Sequence, residues 1–96
     1  MMVLITYDVN TETLAGQKRL RKVAKACQDY GQRVQNSVFE CIIDPAHLKE
    51  LQARLETLIN KEKDSIRYYY LGDEWRKRVE HVGAKVSLDL EGTLLV

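Results

Sequence analysis

The opening stretch of the chain, MMVLITYDV over residues 1–9, constrains the fold more than any other. From Met2 to Tyr7 it is apolar and rich in β-formers, and Asp8 is its first charged side chain. The run is too short for a helix. It reads as a strand buried on both faces, in the middle of a sheet. Asp8 then stands at the carboxyl end of that strand, where ligands of α/β sheets tend to bind. Asn10, Thr11 and Thr13 follow as turn and cap formers, so the plainer reading is that Asp8 starts a turn or helps cap the next helix.

With 96 residues the chain is expected to form one domain. The expected body is 1–82, with a tail over 83–96 that docks on a partner subunit or another protein. A domain this small buries a modest core, so dimerisation would help it. No run approaches the ~18 apolar residues of a membrane span, so no membrane role is expected. No basic region precedes the apolar start, so no secretory signal is expected either. Cys27 and Cys41 lack a metal spacing, and two lone thiols fit a reducing cytoplasm. Net charge is +1, so an argument for a polyanionic partner must rest on where the charges sit.

The next element is a helix over about Leu14 to Tyr30. Leu20, Val23, Ala24 and Cys27 form its apolar stripe, and Gly31 lies just past its end. Cys27, within the stripe, reads as a core residue. Lys18, Arg21, Lys22 and Lys25 project opposite the stripe, with Arg19 nearer its edge. Five cations on one helix suit a phosphate backbone. The same pattern also describes the solvated face of an amphipathic helix.

Gln32 to Val34 is short and extended, and Asn36-Ser37 marks a turn or kink. Val38 to Ile43 alternates, with Phe39, Cys41 and Ile43 on one face. The two runs read as a hairpin or as one bent strand. Asp44-Pro45 starts a second helix, with a capping carboxylate and a proline at its first position. Leu48, Leu51, Leu55, Leu58 and Ile59 are its buried stripe, and it ends near Asn60. His47, in the first turn, reads as a surface residue. Ser65 to Leu71 is a further strand, whose tyrosines either pack the sheet or stack bases, and Gly72 stops it. Val79 to Val82 reads as a short fifth strand. The apolar tail beyond Gly83 is expected to dock on its own sheet or a neighbouring chain.

The order is strand, helix, strand, strand, helix, strand. That predicts an α+β, ferredoxin-like βαββαβ fold with an extra C-terminal strand, both helices covering one sheet face. The other face also carries apolar residues, and a two-fold dimer packed sheet against sheet would cover it. There is no phosphate loop, no cysteine–histidine zinc spacing and no serine elbow. The remaining chemistry is Asp8 and the basic helix. A hard carboxylate oxygen suits Mg2+ or Mn2+, and a two-fold axis near the strand tip would supply a second Asp8. Such a metal could activate water against a phosphodiester.

The chain resembles the small CRISPR-associated adaptation endonuclease family, the ferredoxin-like partner of the CRISPR integrase. The matching segments are Tyr7-Asp8-Val9, the helical run Arg19 to Lys25, Tyr30 to Glu40, and Asp64 to Leu71. The resemblance runs through about Gly83 and fits less clearly from Lys85 onward. It implies a homodimer whose facing Asp8 carboxylates bind a divalent metal. It also implies that Tyr7, Arg19, Arg33, Phe39 and Ser37 belong to the nucleic-acid site. The implied activity is metal-dependent cleavage of double-stranded DNA, single-stranded RNA or both, in the service of spacer acquisition with the integrase as partner. A second implied role is a non-catalytic DNA-binding scaffold that bridges integrase subunits. A ligand-sensing regulator, the third reading, is disfavoured by the lack of a glycine-rich loop.

Overall fold

A computed structural model describes residues 1–84. Its elements are β1 (Met2–Asp8), α1 (Leu14–Gln28), β2 (Gln32–Gln35), β3 (Val38–Ile42), α2 (Pro45–Leu58) and β4 (Ser65–Gly72). A short 3-10 turn over Trp75–Lys77 follows them. The strands form one sheet in the order β2-β3-β1-β4, with every neighbouring pair antiparallel. This is the expected βαββαβ arrangement, with β1 in the interior of the sheet.

Alternation along β1 explains why this strand organises the rest. Val3, Ile5 and Tyr7 point to the helices and are buried with Val23, Ala26 and Cys27 of α1 and Leu48, Leu51 and Leu55 of α2. Phe39, Cys41 and Ile43 complete that layer. Burial pushes the Cys27 thiol up to about 12, with Cys41 adding to the shift, and the Cys41 thiol up to about 11. Both are core groups rather than nucleophiles. The opposite face carries Leu4, Val38 and Ile42, which are half-buried and lie outside the core cluster.

The caps form where the sequence signals stand. Thr13 Oγ1 accepts the Gly16 amide at 3.0 Å and starts α1. Asp44 Oδ1 accepts the His47 amide at 2.8 Å, ahead of Pro45. His47 lies on the surface, its Nδ1 2.7 Å from Asp44 Oδ2. Asn36 and Ser37 form the two-residue turn of a true hairpin, with Gln35 paired to Val38. Gly72 ends β4 at a φ of +76°, a conformation that disfavours a side chain.

The fifth strand expected over Val79–Val82 does not form. These residues are irregular, and Val82 is 87% exposed. Its two valines, Val79 half-buried and Val82 exposed, stand three positions apart and would face opposite sides of a strand. The Met1 amino group instead holds Asp73 at 3.2 Å, just past the end of β4. From residue 85 on, the expected tail lies outside the described residues.

Candidate active site at the strand tip

Asp8 is exposed at the last position of β1 and pairs in register with Ser65, the first residue of β4. Tyr7, one residue earlier, faces the core at 6% exposure. The two side chains therefore leave the strand on opposite faces. The Asn36-Ser37 turn lies beside this end, since the Tyr7 amide donates to Ser37 O at 3.1 Å and the Tyr7 hydroxyl to Asn36 O at 3.2 Å.

Tyr7 and Phe39 stack with ring centroids 6.1 Å apart. The Arg33 guanidinium lies 5.2 Å from the Phe39 ring centre, within cation–π reach. Burial raises the Tyr7 hydroxyl pKa and Cys27 adds to it, while Arg33 and Ser37 oppose the shift. Tyr7, Arg33, Ser37 and Phe39 are thus brought together next to Asp8. Phe39 is fully buried, and Arg33 is the exposed member of the group.

Four expected basic residues share one surface. Lys18, Arg21, Lys22 and Lys25 line a groove of about 690 Å³ with Arg54 and Leu58 of α2. Arg54, on the second helix, has no role in the sequence reading, because the α2 pattern points only to its apolar side. Asp29 sits at the edge of this groove. It accepts from Lys25 Nζ and from Arg54 Nη1, the latter at 2.8 Å, and those two bonds hold its carboxyl below the usual range. Among the described residues Lys18, Arg21 and Lys22 make no ion pair.

Arg19 is placed differently from its four neighbours. Its Nε donates to Asp64 Oδ2 at 2.8 Å and its Nη2 to Asp64 Oδ1 at 3.3 Å. The Asp64 side chain is 0% exposed and that of Arg19 is 19% exposed. Two backbone amides complete the set, Asn10 to Oδ1 at 2.9 Å and Asn60 to Oδ2 at 2.8 Å. Burial works against the Asp64 charge, but Arg19 and the two amides outweigh it and hold the carboxyl down at about 2. Spacing alone gives Asp64 no role, since it closes a polar stretch after α2. The available signal is an acid directly before a β-rich run.

One chain contributes one exposed carboxylate at the strand tip. Among the described residues no group of three or more His, Cys, Asp and Glu side chains is gathered to hold a metal. The donor chemistry of Asp8 fits a hard divalent cation whose remaining positions are filled by water and by a second carboxylate. No helix among these residues is long and apolar enough to cross a membrane.

Comparison with known proteins adds to this geometry. The family model described as CRISPR associated protein Cas2 matches residues 1–79. A CRISPR-associated endonuclease Cas2 from Halalkalibacterium halodurans is 62% identical over 95 residues, covering 99% of each chain. A CRISPR-associated endoribonuclease Cas2 from Nitratidesulfovibrio vulgaris is 60% identical over 96 residues, covering 100% of this chain and 94% of that one. The crystal structure of Streptococcus pyogenes Cas2 at pH 6.5 superposes with a TM-score of 0.76 at 63% identity. It covers 86% of this chain and 100% of its own.

Proposed function

This chain belongs to the CRISPR associated protein Cas2 family, and on that premise we propose a metal-dependent endonuclease of CRISPR adaptation. It works as a homodimer, with Asp8 of both subunits holding one Mg2+ or Mn2+. The observation that carries the reading is the exposed carboxylate at the end of an interior strand. The names of the relatives, endonuclease in one case and endoribonuclease in the other, support cleavage of DNA, RNA or both. The half-buried Leu4, Val38 and Ile42 face supports a sheet-to-sheet dimer.

A bound divalent cation would lower the pKa of water and offset charge on the phosphate. The chain's own residues do the rest. Asp8 supplies the anionic oxygens. Lys18, Arg21, Lys22 and Lys25 hold the phosphate backbone, with Arg54 beside them. Arg33, fixed over Phe39, presents a further cation from the cluster next to Asp8. The partners are the CRISPR integrase and the nucleic acid. The tail over 83–96 is read as a segment that docks on the partner subunit or on another protein. Two buried free thiols agree with a cytoplasmic setting.

A second reading, a scaffold that holds DNA without cutting it, is favoured by the groove itself. It spans both helices, and binding there needs no metal. Asp8→Asn separates the two readings. The variant keeps the shape and an acceptor oxygen but loses the charge. The expected result is loss of Mg2+-dependent cleavage of RNA and DNA, with melting temperature, dimer and metal-free DNA binding retained. Cleavage at the wild-type rate would hand the function to the scaffold.

A further inference from the structure

We infer that Asp64 and Arg19 are positioning residues for Asp8: they lock the chain on both sides of the strand tip, so that Arg19 serves geometry rather than phosphate binding. The inference rests on the reading of Asp8 as a metal carboxylate. Asp64 immediately precedes Ser65, the register partner of Asp8. Its carboxylate receives the amide of Asn10, two residues beyond Asp8, and the amide of Asn60 in the α2–β4 connection. The Arg19 fork closes the remaining lone pairs from α1. One buried acid thus ties three segments at the point where β1 leaves the sheet.

Close packing reinforces the same point. A Cβ on Gly16 would come 1.9 Å from the Asn10 carbonyl oxygen, so α1 rests directly on the residue that Asp64 holds. The Asn10 side chain in turn accepts the Glu12 amide at 3.0 Å. A buried ion pair is weak support for stability alone, because desolvation offsets its attraction. A metal carboxylate, however, must be held to within about 0.5 Å. That requirement gives the pair a purpose that packing alone does not. Arg19 also differs from the cations of the groove, since both its Nε and Nη2 are engaged by a group with no exposure.

The experiment compares wild type, D8N, D64N, R19Q, R19K and the D64N/R19Q double variant as full-length dimers, well below the lowest melting temperature. Three quantities are read: Mn2+ affinity from the resonance of free Mn2+, the single-turnover cleavage rate at saturating Mg2+, and DNA affinity against salt in EDTA. R19Q and D64N are each expected to weaken Mn2+ binding and slow cleavage by about 10- to 100-fold, as loss of a ligand-orienting group does. The double variant should be no worse than the worse single, because the two act as one unit. DNA affinity should stay within about twofold of wild type, and its salt slope should not change. R19K keeps a cation beside the buried carboxylate but loses the fork. It should fold and lose Mn2+ affinity to a smaller extent, which keeps the test decisive if D64N does not fold.

Normal Mn2+ affinity in both Arg19 variants, with a salt slope reduced by about 0.9 in R19Q, would make Arg19 a phosphate contact and overturn the inference. A lower melting temperature with unchanged Mn2+ binding and cleavage would also overturn it, leaving only a role in folding. If D8N is inactive while D64N and R19Q match wild type, this inference fails and the Asp8 reading stands. If D8N itself binds Mn2+ and cuts like wild type, both fail together.

Discussion

The strand tip and the helical groove use charge in opposite ways. At the tip, Asp64 is buried, paired with the half-buried Arg19 and joined to two backbone amides. In the groove, Lys18, Arg21 and Lys22 make no ion pair among the described residues, and the acid at its edge, Asp29, engages Lys25 and Arg54. Buried pairs gain direction and lose availability. Solvated cations keep their availability but fix nothing, since an exposed pair contributes only about 0–1 kcal/mol. The two regions sit on the same helix, yet one holds the fold in place and the other is open to a polyanion.

The largest break in this contrast is expected from Asp64→Ala. It leaves the half-buried Arg19 without its partner and two amides without an acceptor, at a cost of about 3–5 kcal/mol. In a domain of this size the melting temperature should drop by roughly 10 °C or more. A fall of only a degree or two by calorimetry would mean that water replaces the carboxylate and that the tip is not a closed network.

Acid sharpens the same point. The folded Asp64 carboxyl titrates at about 2, below its ordinary 3.8. Its contribution is therefore whole above about pH 4 and fades as the pH falls from there toward 2. Between pH 6 and pH 3, urea midpoints should fall more for wild type than for Asp64→Asn. Parallel curves for the two proteins would place the acid sensitivity elsewhere.

In the groove, stability should hardly respond while binding does. Lys18→Gln with Lys22→Gln should leave melting within about 1 °C, since exposed substitutions rarely matter. The slope of log affinity for DNA against log salt should shrink by about 0.9 for each phosphate that the variant no longer neutralises. Unrelated DNA sequences should be affected alike. An unchanged slope would reduce the basic face to a solvated surface. The smallest effect is expected from Asp29→Asn, which frees Lys25 and Arg54 and should raise DNA affinity by a few-fold at low salt. A weaker affinity would show that Asp29 holds those cations in a binding geometry.

Local features of this fold were legible because their causes are local. The β1 run, the Asp44-Pro45 cap, the two apolar stripes and the Gly72 stop each depend on neighbours within a turn or a strand. Asp8 was legible for the same reason, as a charge at the end of an uncharged strand. The Arg19–Asp64 pair was not, because its members are 45 positions apart and helical spacing grouped Arg19 with the cations of the groove. Nor does spacing reveal that Asp29 reaches Arg54, 25 positions away. Alternation placed Phe39, Cys41 and Ile43 on one face but left open which face lies under the helices. The close approach of Gly16 to the Asn10 carbonyl depends on how α1 docks, which no local pattern encodes.

The central claim is that two Asp8 carboxylates act as one site, and a hybrid dimer tests it most directly. Wild-type and Asp8→Asn subunits carrying different tags are refolded together, and the doubly tagged dimer is isolated. Its Mg2+-dependent cleavage rate is then measured against both parents. A shared site keeps only one carboxylate in the hybrid, so its rate should fall at least about tenfold below wild type, as loss of a metal-site group does. A hybrid that cuts at half the wild-type rate would mean that each subunit carries its own site, and would contradict the account.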